Sequence, residues 1–158
     1  MKGEELPREQ ELRIELPVKA FIPPGWVAQE ALRLELYRRI SLAGDHTTLE
    51  QIRAETVDRY GALPEQVETL FAIASLRVTG LRLGVQEIVT YRDQVRLSPV
   101  VIAEELLLDL EDRLYRATFH VERATLNLVP ERVFGMDLVR FVERALREAV
   151  GDPIVSGA

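Results

Sequence analysis

Thr79-Gly80-Leu81-Arg82-Leu83-Gly84-Val85-Gln86-Glu87-Ile88-Val89-Thr90-Tyr91 is where the chain changes its period. Upstream, Val67, Leu70, Phe71, Ala74, Val78 and Leu81 fall at helical spacing and give one broad apolar face. Gly84 caps that helix. Downstream, Val85 to Tyr91 reads as a strand and Gln94 to Leu97 as its partner across Arg92-Asp93, a β-hairpin. Helices and strand pairs therefore come in blocks, not as alternating βαβ units. This arrangement predicts an α+β fold.

Working back toward the N-terminus, Pro64 sits in the first turn of the third helix, with Glu65 and Glu68 near its positive end. A second helix carries Leu49, Ile52, Thr56 and Tyr60 inward, ends at Gly61 and has a capping-box start at Thr47 or Thr48. A first helix spans about 28–43, with Leu32, Leu36, Ile40 and Ala43 on one face, and Gly44 stops it. Before it, Ile22-Pro23-Pro24-Gly25-Trp26 breaks the chain, with Trp26 as an anchor on the core. Leu12 to Ala20 alternates like a half-buried strand, weakened by Pro17.

Working forward, Ser98-Pro99 reads as the start of a fourth helix holding Val101, Ile102, Leu106, Leu107, Leu110 and Leu114. Its outer face carries Glu104, Glu105, Asp109, Glu111 and Asp112. A second hairpin pairs residues 117–121 with 125–129 across Glu122 to Ala124. A last amphipathic helix runs over about 135–150. The expected fold is a helical N-terminal half of three helices, two β-hairpins with a fourth helix between them, and a C-terminal helix. The expected organisation is a flexible segment over 1–11, one domain over 12–150 and a flexible tail over 151–158.

A length of 158 residues suits one domain, and 47% apolar with 29% charged residues is ordinary for a globular one. The net charge of −6 argues against a dedicated duplex-DNA reader, whose footprint is positive. Without cysteine there is no disulfide, thiolate nucleophile or cysteine-bound metal. Two histidines far apart make a histidine metal site an unpromising expectation, and no metal or cofactor is expected. No run approaches the roughly 18 apolar residues of a membrane span. No secretory signal is visible, so the cytoplasm is the expected compartment.

Catalytic motifs are scarce. The glycines stand singly at helix ends, with no phosphate loop and no Gly-x-Ser-x-Gly elbow. His46 reads as a solvated residue in an interhelical turn, and Ser75 has no histidine near it in sequence. The acids of the fourth helix read as a solvated face, against the alternative of a small carboxylate hydrolase. In the second helix, Glu55, Asp58 and Arg59 are spaced by three and four, so they share one side. That spacing fits an intrahelical Glu55–Arg59 pair worth roughly 0.2–0.5 kcal/mol, or a polar contact face for another domain.

Several stretches together resemble one family. Leu16-Pro17-Val18-Lys19-Ala20-Phe21-Ile22-Pro23-Pro24, then Leu32-Arg33-Leu34-Glu35-Leu36-Tyr37-Arg38-Arg39-Ile40, look like the start of the C-terminal domain of the bacterial transcription-repair coupling factors, the Mfd family. Asp58-Arg59-Tyr60-Gly61-Ala62-Leu63-Pro64-Glu65 fits that family's Asp-Arg-[Phe/Tyr]-Gly-x-Leu-Pro signature. Leu76-Arg77 and Leu83-Gly84-Val85 fall where its next helix carries Leu-Arg and ends in Leu-Gly-Ile. The match covers about residues 12–91; beyond them it rests on element order. Thr56 stands where relatives often carry Leu, so the inner face of that helix is expected to pack less tightly.

The resemblance implies a regulatory domain without catalytic residues, taken from a longer ATP-driven DNA translocase. Such proteins act on stalled RNA polymerase and recruit the repair protein UvrA. This domain would pack on a UvrB-like N-terminal domain of the same protein, hide the UvrA-binding surface and restrain the motor. Glu55, Asp58 and Arg59 correspond to the face turned toward that clamp. By itself the domain is expected to be monomeric. An alternative gives it a nucleic-acid contact through Arg77, Arg82, Arg92 and Arg96 near the first hairpin.

Overall fold

The computed structural model describes residues 11–152. The expectations for segment 1–10 and for 153–158 fall outside the described residues. In chain order the elements are β1 (Arg13–Glu15), α1 (Glu30–Leu42), α2 (His46–Tyr60), α3 (Glu65–Arg82), β2 (Glu87–Tyr91) and β3 (Gln94–Ser98). Then come α4 (Glu104–Leu108), α5 (Leu110–Arg113), β4 (Thr118–His120), β5 (Thr125–Leu128) and α6 (Gly135–Val150). A 3₁₀ turn, Val121–Arg123, joins β4 to β5. The fold is α+β.

The strands form one mixed sheet in the order β1-β2-β3-β5-β4. β1 runs parallel to β2, with Ile14 opposite Ile88, and the other pairings are antiparallel. Ile88, Val95, Leu97, Leu126 and Leu128 alternate with solvent-side residues and are fully buried. They form one core with Ala72 and Leu76 of α3 and with Leu138, Val139, Val142 and Leu146 of α6. A second core sits among the first three helices, where Val67, Phe71 and Ala74 of α3 meet Leu36, Ile40, Leu49 and Ile52. The apolar surface of α3 is broad because it serves both cores. At Gly80 an added Cβ would come within 2.6 Å of the buried Leu12 side chain, so glycine lets the chain before β1 lie close on α3.

Three expectations change. The strand expected over Leu12–Ala20 pairs only at Arg13–Glu15, because Pro17 offers no donor and the Val18 N–H turns back to the Leu16 carbonyl. The α2 cap is Asp45 rather than Thr47 or Thr48: its carboxylate accepts the Thr48 N–H at 2.6 Å. That bond holds the Asp45 carboxyl below its ordinary range.

The single fourth helix is instead two short ones. The Val100 side chain is buried and its N–H bonds to the Ala124 carbonyl, which ties the β-branched run after Pro99 to the second hairpin. The chain breaks again at Asp109, where Arg113 donates to the carbonyls of Leu106 and Glu148 and pairs with Asp109. α6 matches its expected span.

Candidate interdomain interface

α2 is held from both ends. Asp45 caps its start, and Gly61 ends it at φ 88° and ψ −164°, a conformation for which a side chain is strained. Leu49 and Ile52 fix it to the helical core. Thr56 is 4% exposed and satisfies its hydroxyl by donating to the Ile52 carbonyl at 2.7 Å.

The stretch after this anchor divides cleanly. Tyr60 packs on Trp26, with ring centroids 5.3 Å apart. Gly61 supplies the turn, Leu63 packs on the helical core and Pro64 caps α3. Asp58 and Arg59, by contrast, are exposed. Neither forms an ion pair among the described residues. The Arg59 guanidinium lies 5.4 Å from the centre of the Tyr60 ring. Glu55 is also exposed, but its ion pair is with Arg39 of α1 at 2.7 Å, not with Arg59 as spacing suggested. The result is a charged face on a helix that is capped by Asp45 and packed on the helical core.

The arginines of the first hairpin region do not converge as a set of four. Arg77 donates to the Leu12 carbonyl, and burial lowers its pKa. Arg82 forms a two-pronged pair with Asp152 at 2.9 and 2.8 Å, which raises the arginine and lowers the carboxyl. Arg92 and Arg96 do come together, at 5.3 and 4.1 Å from the centre of the Tyr91 ring. The five acids from Glu104 to Asp112 are all exposed, split between two helices and the residue joining them.

One constellation escaped the sequence reading. His46 opens α2 instead of floating in a turn. Its Nε2 lies 3.3 Å from the Ser75 carbonyl, 3.2 Å from Thr79 Oγ1 and 3.4 Å from Glu143 Oε2. Glu143 also accepts from Ser75 Oγ at 2.9 Å and from Thr79 Oγ1 at 2.6 Å. Arg147 donates to Thr79 Oγ1 at 3.1 Å. These bonds join α2, α3 and α6 at one polar centre. The Ser75 and Thr79 hydroxyls both give their hydrogens to Glu143, while the imidazole Nε2 faces the Ser75 carbonyl and Thr79 Oγ1, so the contacts brace the three helices against one another. Residues 46, 75 and 143 lie too far apart in sequence for any pattern to signal them.

In class, then, this is an α+β domain with a charged helix face set beside a structurally determined turn. A family model described as TRCF domain matches residues 16–105, more than half of the chain. A transcription-repair-coupling factor of Mycobacterium tuberculosis is 32% identical over 148 residues, which is 93% of this chain and 12% of that protein. One from Escherichia coli is 34% identical over 79 residues, covering 50% of this chain and 7% of that protein. In fold, the chain is similar to a crystal structure of the C-terminal domain of transcription-repair coupling factor. The TM-score is 0.72 at 13% identity, covering 91% of this chain and 96% of that one. The chain belongs to the TRCF domain family.

Proposed function

We propose that this domain is an autoinhibitory contact module of a larger transcription-repair coupling factor. In the resting protein the face of Glu55, Asp58 and Arg59 packs on a UvrB-like N-terminal domain, masks the surface that binds UvrA and restrains the ATP-driven motor. The module itself is monomeric and acts in the bacterial cytoplasm, meeting RNA polymerase and DNA only through the whole protein. The supporting observation is the division of the stretch after Thr56. Tyr60, Gly61, Leu63 and Pro64 are accounted for by the fold, whereas Asp58 and Arg59 are exposed and form no ion pair among the described residues, Arg59 touching only the Tyr60 ring beside it.

The physics of a tether suits such a switch. Two domains of one chain meet at high effective concentration, so a few charged contacts suffice to close them. When they part, those charges are rehydrated and no large apolar surface is exposed. The test is Glu55→Arg with Asp58→Arg in a full-length coupling factor. Increased UvrA binding and ATPase activity are expected; unchanged values of both would reject the reading.

A second reading rests on Tyr91. Two arginines without a carboxylate partner among the described residues flank an exposed aromatic ring at a hairpin tip, a combination suited to stacking on single-stranded nucleic acid. A low-salt gel shift that is lost in Arg92→Ala/Arg96→Ala supports it; no shift with the parent chain rejects it.

A further inference from the structure

Resting on the charged-face reading above, we propose that Leu42, the last residue of α1, is the apolar anchor of the interdomain surface, which spans α1 as well as α2. The UvrB-like partner must then carry an apolar recess for one leucine, set beside basic side chains for Glu55 and Asp58. Leu42 is 69% exposed, so the fold itself makes little use of its side chain.

Position singles this leucine out. α1 and α2 are joined by residues 43–45 alone, so they run back alongside each other. The Arg39–Glu55 pair fixes their level. At about 100° per residue, Leu42 lies about 60° round α1 from Arg39, turned away from the buried Leu36 and Ile40. On α2, Gln51 and Asp58 lie within about 60° of Glu55, turned away from the buried Ile52 and Thr56. In two antiparallel helices these directions coincide, so Leu42, Gln51, Glu55 and Asp58 are exposed on one side of the pair. Leu34 supplies the contrast. It is 59% exposed, but it lies about 140° from Arg39, toward the flank where Tyr37 accepts the Ile22 N–H. The other exposed large apolar side chains are Phe21, before α1, and those from Tyr91 onward, in the sheet half of the chain. Trp26 and Tyr60, at the far end of the charged face, are half-buried against each other.

Charge alone makes a weak lock. Exposed ion pairs contribute little each and are screened by salt. Protein interfaces combine an apolar, water-free centre with a polar rim, and the charges chiefly set partner and register. Glu55, Asp58 and Arg59 are groups of the rim kind, and Leu42 is the exposed apolar side chain that adjoins them. Burying it supplies attraction that salt does not screen. When the domains part, a single leucine returns to water, a patch far smaller than one that promotes association.

The test is calorimetric titration of four chains into the UvrB-like domain: the parent, Leu42→Ala, Leu34→Ala and Glu55→Arg/Asp58→Arg. Leu42→Ala is expected to weaken binding about tenfold, the worth of a buried leucine side chain. Its urea midpoint should stay close to the parent's, because the residue is exposed. Leu34→Ala is expected to bind within about twofold of the parent. Undiminished binding by Leu42→Ala overturns the anchor, and so does an equal loss in Leu34→Ala. If the charge reversal weakens binding and Leu42→Ala does not, the charged face stands without the anchor. If the parent shows no saturable binding, both fall together.

Discussion

Arg39, in the last turn of α1, closes a 2.7 Å ion pair with Glu55 across the contact between α1 and α2. Both side chains stay substantially exposed, 39% and 60%, so the pair contributes only about 0–1 kcal/mol to the fold. Glu55 is thus lightly held. On the proposed reading it exchanges Arg39 for a partner's cation when the interface closes. Arg39→Ala removes that competitor and is expected to tighten binding to the UvrB-like domain about two- to fivefold. Stability should stay within about 0.5 kcal/mol of the parent. Calorimetric titration together with urea unfolding checks both halves.

The turn after α2 is where the fold leaves least choice. Gly61→Ala places a Cβ at φ 88° and ψ −164° and is expected to cost about 1–3 kcal/mol, although nothing lies within 4 Å of the new methyl group. The cost is therefore one of backbone strain and not of crowding. An unchanged urea midpoint would show that the backbone relaxes into another turn.

The polar centre between the helices predicts an asymmetry. Glu143→Ala strips Ser75, Thr79 and Arg147 of their shared acceptor and is expected to destabilise by about 1–3 kcal/mol. Ser75→Ala removes one of several donors to the same carboxylate and should cost less than Glu143→Ala. Urea unfolding of the two variants decides the order.

Acid should loosen the C-terminal end. Pairing with Arg82 lowers the folded Asp152 pKa below its ordinary 3.8. Its contribution is therefore present above that value and is lost as pH falls through the lower folded one. Asp152→Asn is expected to reduce stability at pH 7, with the gap to the parent closing toward pH 2. A gap that is constant over this range would mean that the carboxylate charge plays no part.

Much of this architecture is legible in sequence because it rests on local physics. The change of period at Gly84, the apolar faces of α3 and α6 and the turn at Gly61 are written in spacing and in residue type. What local patterns miss is set by contacts made across the fold. The run from Val100 to Leu114 has helical spacing, but the bond from Val100 to Ala124 and the carbonyls gathered by Arg113 divide it. Likewise the spacing of Glu55 and Arg59 suggests a pair within α2, while Arg39 of the neighbouring helix takes the carboxylate. The charged face could be marked by spacing and family resemblance. The His46–Glu143 centre depends on how α2, α3 and α6 pack.

The central claim is that Glu55, Asp58 and Arg59 form a contact face for a UvrB-like domain. The most direct measurement is calorimetric titration of this chain into that domain, comparing the parent with Glu55→Arg/Asp58→Arg. The account predicts saturable binding by the parent that weakens as salt rises. It predicts a loss of at least about tenfold in the variant, since like charges then face the partner, with an unfolding midpoint close to the parent's. Equal affinity of parent and variant would contradict it.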